Sequence, residues 1–114
     1  MALDFSYLQE ITGDEPEIMK EMLDLFIRDI PTQLQNVRDF YNEGNLTSVG
    51  TEAHKLKPTL QYIGSSEMHE MIKQIEYSGK HQVDTDQIPE FLEKLFVLLE
   101  DALKELKEKR AALG

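Results

Sequence analysis

The sequence contains no cysteine. That excludes disulfide frameworks and thiolate zinc sites, and it suits a reducing compartment. Long apolar runs are missing too. The longest, Leu95-Phe96-Val97-Leu98-Leu99, has five residues, where a membrane-spanning helix needs roughly 20. The opening MALDFSYLQE lacks the basic start and apolar stretch of a signal peptide, so a soluble, cytoplasmic protein is expected. No segment alternates with a period of two over a useful length, which leaves strands without support. Positive charge is scarce: 12 Lys and Arg stand against 22 Asp and Glu, for a net charge of −10. Such a surface repels nucleic acid and anionic lipid, so neither is expected as a partner. Its simplest role is solubility, and a partner, if there is one, should be another protein.

What is present is helical periodicity. The chain of 114 residues is long enough for one domain with one core, expected to span 1–114. A short first segment, Asp4 to about Ile11, carries Phe5, Leu8 and Ile11 as a lid, and Thr12-Gly13 breaks it. Asp14 is placed to cap the next helix, with Glu17 completing a capping box and Pro16 in the first turn. Met19, Leu23, Phe26, Ile30, Leu34, Val37 and Tyr41 then recur at helical spacing. The stripe keeps its phase across Pro31, so a kink rather than a break is expected there.

Gly44-Asn45 ends this helix and caps a third, striped by Leu46, Val49, Ala53, Leu56, Leu60 and Ile63. After Gly64, a shorter fourth segment buries Met68, Met71, Ile72 and Ile75 and should close at Ser78-Gly79. A polar loop from Lys80 leads to Asp86 as the cap of a long last helix with Pro89 in its first turn. Its stripe is Ile88, Leu92, Leu95, Leu99, Ala102 and Leu106. The fold expected is all-α: an antiparallel up-down-up-down four-helix bundle with a short N-terminal capping helix. The methionines are read as packing material.

The stretch AHKLKPTLQYIG, residues 53–64, departs from ordinary packing. At about 100° per residue, His54 lies roughly 130° from the core direction of its helix and faces solvent. Lys57 sits about one turn away on the same side. Gly50 and Gln61 project close to the same direction, and Pro58 faces outward beside them. His69 and His81 are read as ordinary surface histidines. No second ligand accompanies His54 at helical spacing, so a metal site has little support. Serine or cysteine nucleophile schemes have no candidates, and no glycine-rich loop is present to hold a nucleotide. An exposed neutral imidazole is nonetheless a competent nucleophile near neutral pH. A lysine three positions along would supply the fixed charge that phosphoryl transfer needs.

Ala53, His54, Leu56, Lys57 and Gly64 resemble the phosphorylation-site helix of histidine-containing phosphotransfer (HPt) domains of bacterial phosphorelays. That motif reads alanine, histidine, any residue, leucine, lysine, glycine, five variable residues and a second glycine. The opening DFSYLQEITGDEPEIMKEMLDLF, the turn Gly44-Asn45-Leu46 and the helix order extend the resemblance over nearly the whole chain. It implies a phosphorelay intermediate, with His54 the phosphoacceptor and Lys57 the phosphate-facing cation. By position Glu76 would orient the imidazole through a hydrogen bond; the alternative is an ordinary exposed glutamate. Lys80 could approach the same face. Implied partners are response-regulator receiver domains or a hybrid sensor histidine kinase, met by a monomer. No cofactor is implied for this chain, magnesium belonging to the receiver. Docking would use exposed residues near His54, with Ile11, Met19, Pro58, Gln61, Tyr62 and Lys80 as candidates.

Pro58 departs from the motif, which has glycine there. Proline removes the hydrogen bond to the His54 carbonyl, and a local bend or widened turn is expected. The departure bears on transfer rate and partner choice. It also keeps open the alternative of a catalytically inactive helical interaction module.

Overall fold

A computed structural model describes residues 3–114. Met1 and Ala2, included in the expected domain span and in the stretch read for a leader, lie outside the described residues. Five α-helices follow in order: α1 (Ser6–Thr12), α2 (Pro16–Asn42), α3 (Leu46–Tyr62), α4 (Ser66–His81) and α5 (Ile88–Ala112), with a 3-10 turn at Thr85–Gln87. No strand occurs among the described residues. The all-α bundle read from periodicity is the fold observed.

The helix ends follow from local chemistry. Gly44 donates to the Tyr41 carbonyl and Asn45 to that of Phe40, a Schellman closure that needs the positive φ of 74° at Gly44. The Asn45 side chain then accepts from the Ser48 amide at 3.1 Å and starts α3. Gly64 repeats the closure, and Ser65 caps α4 through the Met68 amide. A side chain at Gly64 would collide with the Asp4 carbonyl, because the N-terminal strap crosses there and Asp4 donates its amide to Gly64.

Three expected boundaries move. Asp14 does not cap α2: it sits at φ 60° and donates to the Gln9 carbonyl, so it closes α1 and leaves Glu15 at the cap position without a side-chain bond. Asp86 lies in the 3-10 turn, and Gln87 precedes α5, although Pro89 keeps its place in the first turn. Ser78-Gly79 does not end α4, which runs on to His81. Lys80 and His81 are therefore helical residues. Ile11, expected within the lid, is exposed.

The bundle is antiparallel. Asp24 near the start of α2 meets Arg110 near the end of α5, while Arg38 further along α2 lies over the Phe96 ring, further back on α5. The expected stripes form one cluster, with Leu23, Ile30, Leu34, Val49, Ala53, Leu56, Leu60, Ile72, Ile75, Leu95 and Leu106 almost without exposure. Each fully buried Leu or Ile contributes roughly 1.5–3 kcal/mol, so these faces fix which side of α3 turns outward. α2 continues through Pro31 and α3 through Pro58 as α-helix. Pro58, the place expected for a local bend or widened turn, does not interrupt α3, which is α-helical from Leu46 to Tyr62.

Candidate functional site

The site is built on the contact between α3 and α4. Gly50 and Gly79 are both buried, and a Cβ at Gly79 would stand 2.8 Å from the Gly50 amide nitrogen and 3.0 Å from the Leu46 carbonyl. A Cβ at Gly50 would stand 3.0 Å from the Lys80 nitrogen. Only residues without side chains allow two helix backbones so close. Gly50, expected to project outward beside His54, is instead part of this contact.

The close approach brings Glu76 of α4 opposite His54 and Lys57 of α3. Glu76 Oε2 lies 2.6 Å from His54 Nδ1, and Glu76 Oε1 accepts from Lys57 Nζ at 2.6 Å. The imidazole is 68% exposed, whereas Glu76 is 15% exposed and Lys57 29%. Glu76 is thus not an ordinary exposed glutamate. Burial alone would raise its carboxyl pKa, but the hydrogen bonds from Lys57 and then His54, with their charges, outweigh it and hold the value below the ordinary one. An ionised carboxylate only accepts. Neutral His54 therefore carries its proton on Nδ1, and Nε2 presents a lone pair.

An open cleft of about 310 Å³ adjoins the ring, lined by Thr47, Gly50, Thr51, His54, Glu76 and Lys80. Pro58 is exposed one turn along α3. Gln61 is also exposed but lines a different cleft, with Asp4, Tyr7, Glu10 and His69 at the α1 end. Tyr62 is half-buried, its ring between those of Tyr7 at 5.6 Å and Phe26 at 6.2 Å. Met19, expected at a docking surface, is buried in the core and offers nothing to a partner. It opens the apolar stripe of α2, and that position turns it inward.

Sequence reasoning missed the Glu76–Lys57 bond and the Gly50–Gly79 contact. The small residues Gly50, Ser78 and Gly79 were the available signal for a close helix crossing. Among the described residues no group of three or more acidic or histidine side chains is arranged to hold a metal ion. No helix among them is long and apolar enough to cross a membrane.

The family model of the Hpt domain matches residues 21–109, which takes in most of α2, all of α3 and α4 and most of α5. No curated protein and no solved structure matches the chain.

Proposed function

The chain belongs to the Hpt domain family, which implies phosphotransfer in two-component phosphorelays through receiver domains or kinases, and from that premise we propose that His54 is its phosphoacceptor. The donor is the aspartyl phosphate of a receiver domain or of a hybrid sensor kinase, and the acceptor is the aspartate of another receiver. The His54 Nε2 lone pair attacks phosphorus; the Nε2–P bond forms as the P–O bond to the donor aspartate breaks, and the carboxylate leaves. The phosphorylated ring keeps its Nδ1 proton and is positively charged, so the ionised Glu76 beside it stabilises the product. Transfer to the next receiver reverses these steps.

Glu76 is a positioning residue in this reading. It selects the tautomer and, through Oε1, fixes Lys57, whose charge one turn from the ring favours the approach of a phosphoryl group. The observation that carries the reading is the exposed imidazole held through Nδ1, which leaves Nε2 without a hydrogen bond among the described residues. This chain needs no cofactor of its own in the step, and magnesium is the receiver's. The protein acts as a cytoplasmic monomer and meets its partners through a small, short-lived interface around His54, with Pro58, Tyr62, Ile11, Gln61 and Lys80 at its margins.

The competing reading is a bundle that binds partners without transferring phosphate, and Pro58 favours it. One experiment separates the two. The protein is incubated with phosphorylated receivers and scored for acid-labile, alkali-stable phosphate, with His54→Gln beside it. Label on the wild type alone is expected. Wild type that stays unlabelled with every donor supports the inert module, and label persisting in the variant moves the site elsewhere.

A further inference from the structure

Lys57 is not the free cation that its spacing from His54 suggests. Its ammonium is committed to Glu76 Oε1, and Lys57 lies one turn C-terminal to His54. The cleft beside the ring opens on the other side, where Thr47, Gly50 and Thr51 precede His54 on α3. The cation lining that cleft is Lys80. Among the described residues Lys80 makes no ion pair, even though the chain as a whole is strongly acidic.

Backbone packing explains why Lys80 faces this way. Its amide nitrogen stands 3.0 Å from the Cβ position of Gly50, level with the turn before His54. Helical side chains lean toward the N-terminus of their own helix. Because α4 runs antiparallel to α3, that lean carries the Lys80 side chain from the level of Gly50 toward His54. Lys57 leans the same way along α3 and ends at Glu76. One lysine is thereby tied to the carboxylate, and the other is left beside the open cleft.

We propose that Lys80 is the ammonium that contacts the phosphoryl oxygens on phosphorylated His54, while Lys57 and Glu76 hold the ring. The proposal deepens the phosphoacceptor reading and rests on it. The phosphoryl group on Nε2 lies in the cleft between the α3 threonines and Lys80, and its charge is met by a side chain from the neighbouring helix. Lys80 takes no part in bond making. It stabilises the charged oxygens on their way in and out.

The test uses the isolated phosphoprotein, which removes any contribution of Lys80 to partner docking. His54 is loaded from a phosphorylated receiver, or from phosphoramidate, whose P–N bond breaks as Nε2–P forms and whose nitrogen leaves as ammonia. Phosphorus NMR then follows ionisation of the phosphoryl group against pH in wild type, Lys80→Ala, Lys80→Arg and Lys57→Ala. A nearby cation favours the dianion, so Lys80→Ala should raise the titration midpoint by about half a pH unit or more. Lys80→Arg should restore it, and Lys57→Ala should move it less. A Lys80→Ala midpoint equal to wild type, or a larger shift in Lys57→Ala, overturns the proposal and leaves the phosphoacceptor reading standing. Wild type that takes phosphate from neither donor overturns both.

Discussion

Replacing Gly79 by alanine tests whether the α3–α4 contact sets the site. In an ordinary helix the change stabilises, because glycine is about 1 kcal/mol worse than alanine in a helix interior. Here the new methyl would lie 2.8 Å from the Gly50 nitrogen, 3.0 Å from the Leu46 carbonyl and 3.1 Å from Val49 Cγ1. The first two are backbone atoms and cannot rotate away, so the helices must separate. Overpacking of this kind costs about 1–3 kcal/mol. After the gain in propensity, a net loss of up to about 2 kcal/mol is expected, read by urea denaturation at constant slope. At roughly 4 °C per kcal/mol for a domain of this size, the melting midpoint should fall by several degrees. The same separation lengthens the 2.6 Å bonds to Glu76. Nitrogen NMR of the His54 ring should therefore show the Nδ1–H tautomer losing its dominance. Gly79→Ala that proves more stable than wild type, with the ring tautomer unchanged, would refute the reasoning.

Three further outcomes follow from the same geometry. Glu76→Gln keeps the shape but not the charge, so phosphoryl acceptance by His54 should fall by about tenfold or more, measured as the initial labelling rate from a receiver donor. The folded Glu76 carboxyl titrates below its ordinary value of about 4.3. Its stabilising contribution is therefore complete above that pH and disappears as pH falls through the lower folded value. Denaturation from pH 6 to 3 should show wild type losing more stability than Glu76→Gln at the acid end, and parallel curves would contradict this. Met19→Ala should cost about 2–5 kcal/mol as a core truncation, while Ile11→Ala at an exposed position should change stability by under about 0.5 kcal/mol. A thermal-melt comparison of the two checks it.

The apolar stripes were readable because each step of three or four residues reports one face of one helix. The inward set Ala53, Leu56, Leu60 and Ile63 and the outward His54 came from that rule alone, and both stand. Relations between helices were less visible. Ser78-Gly79 reads locally as a terminator, yet Gly79 is there because Gly50 on another helix needs the space. Lys57 reads as a free cation one turn from His54, but its partner is chosen by the register between α3 and α4. Asp14 carries the side chain of a cap, and the left-handed close of α1 claims it first. The sequence placed Glu76 opposite the imidazole only through resemblance. Its second bond, to Lys57, is a property of the packed pair.

Each residue that touches the imidazole or lines its cleft comes from one helical hairpin, residues 46–81. The reactive nitrogen rides on a rigid helix interior, and no loop has to fold over it before a partner arrives. Drift on the solvent faces of the other pair, α2 and α5, can therefore alter how long the molecule survives while leaving the chemistry untouched. A lineage could vary the exposed faces of those two helices widely, so long as their buried stripes stay apolar and the paired glycines stay small.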